Sequence, residues 1–186
     1  MEAEPREILV RAPNWAGDVV MATPGLRALR AAFPGARIAV ALRAGLEGLL
    51  AGSPRLDELI VLRKDRAGLP ARLREAAALR SRRFDLGLSL PDSFSAALFL
   101  RVSGARCVVG YARNGRRLLL HRAVPLPGGG RGRVMLPREQ HVLGLMEAVG
   151  AAPRGTGLEL FVTASEEEAL GRLLAARGVA EGRPLA

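Results

Sequence analysis

A single cysteine, Cys107, leaves this chain of 186 residues unable to form an internal disulfide. It falls inside an apolar stretch and reads as a small core residue. Histidine is almost as scarce: His121 and His141 lie far apart, with no cysteine partner and no ligand spacing, so a metal centre finds no support. Aromatic residues make up 4% against 49% hydrophobic overall, so the core has to be built from Leu, Val and Ala. The same scarcity, with no known recognition motif, argues against a nucleic-acid-binding module. No apolar run reaches the roughly 20 residues that span a bilayer. The opening residues, 1–6, are acidic rather than an apolar leader, so a cytoplasmic protein is expected. There is no P-loop and no nucleophile elbow. The glycine run at 128–132 follows no convincing strand and lacks the spacing of a dinucleotide loop.

What the chain has instead is arginine. Lys64 is the only lysine, yet the formal net charge is +10. Much of that excess comes from one acid-free segment carrying Arg101, Arg106, Arg113, Arg116, Arg117, Arg122, Arg131, Arg133 and Arg138. Guanidinium forks suit bidentate pairing with phosphates and carboxylates, so the block favours an anionic partner. A compositional bias toward arginine would produce the same surface without any ligand.

The hydropathy pattern alternates. Residues 7–11, 37–42, 58–62, 85–90 and 107–110 read as short buried strands. Helical spacing is expected over 19–33, 47–51, 69–82 and 93–102, with Ser93 as a plausible cap of the last. Residues 118–120 and 123–126 read as irregular strands, and 138–149 as a helix ended by Gly150. This alternation predicts an α/β fold, a Rossmann-like parallel sheet with helices on both faces. Farther on, Ser165 and Glu168 have the spacing of a capping box, and the helix they open is expected to stop at Gly178. Residues 183–186 look like a strand begun and abandoned, which suggests a fragment.

The most informative stretch is the polar loop Pro13-Asn14-Trp15-Ala16-Gly17-Asp18, between the first strand and the first helix. Ligands of open α/β sheets collect at the carboxyl ends of strands, where this loop falls. Asp18 has two open readings: a helix cap worth about 1 kcal/mol, or a catalytic carboxylate. Gly17 either supplies the turn or lets the backbone approach a ligand closely. Trp15 either plugs the domain edge or stacks on a ligand.

The run from Ile8 to Met21, with Pro24, Leu26, Leu29 and Phe33-Pro34 after it, resembles the amino terminus of the ADP-heptose:lipopolysaccharide heptosyltransferases, glycosyltransferase family 9. The Asn-Trp-Ala-Gly-Asp version is most similar to the heptosyltransferase II branch. A second block agrees: Leu90-Pro91-Asp92-Ser93-Phe94, then Gly110-Tyr111 and Arg116-Arg117-Leu118-Leu119. Asp92 stands where the family usually has Asn. The resemblance implies the amino-terminal, acceptor-side domain of a two-domain GT-B glycosyltransferase over residues 1–160. Residues 161–186 would then be a linker helix and the start of a donor-binding domain.

By that resemblance the reaction is inverting transfer of heptose from ADP-heptose to the lipid A–Kdo–heptose inner core of lipopolysaccharide, at the inner membrane face. No cofactor is implied beyond the donor substrate, and no nucleic acid is expected. Asp18 would be the base, and Trp15 and Gly17 would contact substrate. Arg113, Arg116 and Arg117, expected to face the cleft, would meet acceptor phosphates and carboxylates. Ser93 is a weaker acceptor contact, and Arg63 and Lys64 have a solvated pair as their safer reading. The chain alone is expected to be inactive. A noncatalytic fragment or an anion-binding or nucleic-acid-binding module is the alternative.

Overall fold

A computed structural model describes residues 4–63, 68–126 and 136–178. Six strands form one sheet: β1 (Glu7–Arg11), β2 (Arg37–Arg43), β3 (Glu58–Leu62), β4 (Leu86–Ser89), β5 (Cys107–Tyr111) and β6 (Arg122–Val124). Their order is β3-β2-β1-β4-β5-β6, and every neighbouring pair is parallel. The α/β sheet expected from the alternation is therefore present, in the doubly wound order.

Parallel strands need both faces covered, and β1 shows how this is met. Ile8 and Val10 join one apolar cluster and Leu9 the other, all three fully buried. On the first face pack α2 (Thr23–Ala32) and α5 (Arg138–Glu147) through Leu26, Leu29, Val142 and Met146. On the second lie α3 (Gly68–Ala78) and α4 (Phe94–Val102) through Ala76, Ala97, Phe99 and Leu100. Gly25 of α2 lets α5 approach closely, because a Cβ there would collide with Val142.

Four local expectations are corrected. The helix over 19–33 is two helices, α1 (Ala16–Val20) and α2. Pro24 has no N–H to give the Val20 carbonyl, and the Thr23 hydroxyl donates to that oxygen instead, at 2.7 Å. The helix over 69–82 ends at Ala78, with a separate 3-10 turn at Arg80–Arg82 closed by left-handed Arg83. Residues 118–120 are no strand: a 3-10 turn runs over Arg116–Leu119. The capping box lies two residues earlier than expected. Thr163 accepts from the Glu166 N–H at 3.3 Å and the Glu166 carboxylate accepts from the Thr163 N–H at 2.8 Å, opening α6 (Ala164–Ala176). Glu168 faces Arg172 instead, at 3.8 Å. Lys64, Arg131, Arg133, the glycine run and residues 183–186 lie outside the described residues.

Between α5 and α6 the chain returns across the domain. Glu159 accepts from Arg27 Nη1 at 2.8 Å and from both Arg55 Nε and Nη2, at 3.1 and 3.0 Å. Its own N–H donates to the Thr23 hydroxyl at 3.0 Å. Leu158, Leu160 and Val162 are exposed, and α6 has no buried residue.

Candidate functional site

At the centre of the sheet, β1 and β4 are neighbours whose following segments lead to opposite faces, the crevice where doubly wound folds bind ligands. An open cleft of about 360 Å³ lies there. Pro13, Asn14, Trp15 and Asp18 line it after β1, and Pro91, Asp92 and Ser93 after β4. Asn114 and Arg138 complete the wall. Both blocks singled out in the sequence thus meet in one place.

The β1 side is built on a buried cation. Arg11, at the end of the strand, is 5% exposed and donates to the Ala12 and Ala41 carbonyls. It also donates from Nη2 to Asn14 Oδ1 at 2.7 Å, which fixes the loop. Burial, then the charge of Arg72, lowers the Arg11 pKa to about 10, still protonated at neutral pH. Trp15 does not plug an edge: it is 74% exposed. Nor does Asp18 cap α1. Trp15 is at the N-cap with no side-chain bond, and Asp18 lies in the first turn, facing Arg138 Nε at 3.8 Å. Gly17 is inside α1 rather than in the turn, with open space where a Cβ would project.

The β4 side hangs on Arg116, which does not face the cleft. Asn114 and Gly115 both adopt positive φ, 53° and 70°, and this double left-handed turn swings Arg116 back beneath the end of β4. Fully buried, Arg116 donates to the Tyr111 carbonyl at 2.9 Å, the Ser89 hydroxyl at 2.9 Å, the Ser93 carbonyl at 3.4 Å and the Pro91 carbonyl. Its Nη2 reaches Asp92 Oδ1 at 3.1 Å. Asn114 adds a bond from its amide to the Asp92 carbonyl at 3.0 Å. Ser93 caps α4 as expected, accepting from the Ala96 N–H at 3.2 Å, while still lining the cleft.

The first turns of α5 supply what sequence reasoning missed. Arg138 donates from Nη2 to the Leu90 carbonyl at 3.1 Å. One turn on, His141 Nε2 stands 3.4 Å from Asp92 Oδ2, and its ring lies 4.1 Å from that of Tyr111. The Tyr111 hydroxyl donates to the His141 carbonyl at 2.8 Å, its pKa pushed up to about 12 by burial and then by the Asp92 charge. Burial alone would raise the Asp92 carboxyl. The His141 side chain and the charges of Arg116 and Arg138 outweigh it and hold the group below its usual range. Arg113 is 3.8 Å from Asp92 but lines no cleft wall, and Arg117 is exposed away from that wall. Arg63 is exposed as well, its N–H on Glu75.

Among the described residues no three His, Cys, Asp or Glu side chains could hold a metal ion. No described helix is long and apolar enough to cross a membrane. The arrangement suits an uncharged polyol: an exposed aromatic face, amide and hydroxyl groups, and two carboxylates, Asp18 and Asp92, each already facing an arginine, Arg138 and Arg116.

No protein-family model matches the chain. Over 94 residues it is 36% identical to lipopolysaccharide heptosyltransferase 2 of Salmonella typhimurium, a match covering 50% of this chain and 27% of that protein. The fold matches the glycosyl transferase family 9 structure from Veillonella parvula, with a TM-score of 0.83 at 20% identity, over 98% of this chain and 52% of that one. It also matches Escherichia coli ADP-heptose lipopolysaccharide heptosyltransferase II, with a TM-score of 0.71 at 24% identity, over 96% and 52%. The chain is thus similar in sequence over half its length, and in fold over nearly all of it, to heptosyltransferases of glycosyltransferase family 9, and it spans about half of each of these two solved chains.

Proposed function

We propose that this chain is the acceptor-side half of an inverting heptosyltransferase that moves heptose from ADP-heptose to the inner core of lipopolysaccharide. The observation that carries the reading is the single cleft joining Asp18 and Trp15 to the loop after β4. In this reading the acceptor sugar lies against Trp15, and one hydroxyl points at Asp18. An aspartate is a weak base and works late, as the hydroxyl grows acidic while its bond forms. The acceptor oxygen bonds to the anomeric carbon of the heptose, the bond from that carbon to the phosphate oxygen breaks, and ADP departs with the electron pair. The acceptor proton ends on Asp18. Holding the two substrates in line is most of the work, because positioning replaces an improbable encounter.

The donor contacts belong, in this reading, to a second domain that would follow α6. Its packing is one account of the exposed Leu170 and Leu173 on that helix. The arginine-rich surface, Arg101, Arg117 and Arg122 among it, would meet the anionic inner membrane face, where the enzyme would sit as a peripheral cytoplasmic protein.

A mass-resolved transfer assay tests this, with ADP-heptose and a heptosyl-Kdo-lipid A acceptor. This chain is run beside a fusion that supplies a carboxy-terminal half from a relative. Heptose added only by the longer protein supports the reading. No transfer by either favours a noncatalytic fragment.

A further inference from the structure

The cleft has two carboxylates, and the reaction as described uses one. Asp92 lines the wall, its side chain 15% exposed. Only Oδ1 has a closed hydrogen bond, from Arg116. Oδ2 faces His141 Nε2 at 3.4 Å and Arg113 Nη1 at 3.8 Å, and the His141 nitrogen has no hydrogen-bond partner. An ionised carboxylate has about four lone-pair positions and no proton to give. Burial opposes its charge, and the His141 side chain together with the cations Arg116 and Arg138 outweighs that cost and favours the ionised form. Asp92 is thus an anchored, charged acceptor with spare capacity, opening on a cleft shared with Trp15 and Asn14.

We propose that Asp92 is a substrate-binding residue that accepts a hydrogen bond from one acceptor-sugar hydroxyl, selecting acceptors in which that hydroxyl is free. Arg116 is the positioning residue behind it. The assignment rests on the glycosyl-transfer reading and adds the residue that reads the acceptor. A site built to take a hydroxyl proton rejects the analogue that lacks it, because the carboxylate is then left unpaired.

The test is titration of this chain, followed by its amide NMR shifts, with methyl heptoside and the set of its monodeoxy analogues. One analogue is expected to bind the wild type about tenfold more weakly than the parent. Asp92→Asn, which leaves an oxygen for Arg116, should lose about tenfold for the parent and no longer distinguish that analogue. Asp92→Glu should restore the distinction in part, which a purely structural role would not do. An equal deficit for the analogue in the wild type and Asp92→Asn overturns the assignment and leaves the glycosyl-transfer reading standing. Failure of the wild type to bind methyl heptoside overturns both.

Discussion

Arg138 and Asp18 open different helices, α5 and α1, and meet on the cleft wall with Nε 3.8 Å from Oδ1. Arg138 is held in turn by the Leu90 carbonyl at the end of β4. The cation facing the proposed base is therefore supplied by a helix more than a hundred residues downstream. In the complete enzyme, Arg138→Met should lower kcat roughly tenfold with KM little changed, because a small misplacement of a reacting group is costly. Steady-state kinetics decide it: a rise in KM alone would make Arg138 a substrate contact.

Asp18→Asn removes the proposed base and keeps its shape. The expected loss is on the order of 10²- to 10⁴-fold in turnover with the fold intact. Circular dichroism checks the fold and the transfer assay the rate. Full turnover in a well-folded variant would reduce Asp18 to the partner of Arg138.

Arg116→Met should cost about 3–5 kcal/mol, because it strands Asp92 and leaves several buried acceptors unpaired. Urea unfolding measures it. Arg116→Lys should recover a minority of the loss, as a single ammonium cannot reach the Tyr111, Pro91 and Asp92 oxygens together.

Glu159 fastens the returning strap. The hydrogen bonds from Arg55 and then Arg27, against an opposing effect of burial, hold its carboxyl below the ordinary value of 4.5. With the folded value beneath the unfolded one, its contribution is complete above about pH 4.5 and fades as pH falls through the folded value. The urea midpoint of the wild type should therefore drop more steeply between pH 6 and 3 than that of Glu159→Gln. Parallel slopes would show that the clamp adds nothing to stability.

Gly25→Ala drives a methyl into Val142, a stiff β-branched side chain. A loss of about 1–3 kcal/mol is expected. Since α5 also brings Arg138 and His141 to the cleft, the same variant should shift their NMR signals, although it lies outside the cleft wall.

Much of the fold was legible in the chain itself. Strands such as 58–62 coincide with the observed β3, and the apolar alternation pointed to a sheet covered on both faces. Local chemistry was legible where a residue acts on its neighbours, as Ser93 does on Ala96. It misled where two residues compete for one role: Thr163 and Ser165 each have a glutamate three positions on, and only the backbone decides which caps. The least legible feature was the interior of the site. Nothing near Arg116 marks it as buried, since its partners Asp92, Ser89 and Pro91 come from another strand's end. His141 was passed over because Asp92, the carboxylate it faces, is distant in the sequence.

The bond between Arg11 and Asn14 also gives the cleft a polarity. A guanidinium can only donate, so the Asn14 amide must turn its oxygen inward, and its NH2 group is left as a donor without a partner among the described residues. Asp18 and Asp92, on the same wall, can only accept. A purely anionic guest would satisfy the amide and offend the acids, and a purely cationic one would do the reverse. The groups that answer both are those that give and receive at once, and along a sugar ring they come in rows.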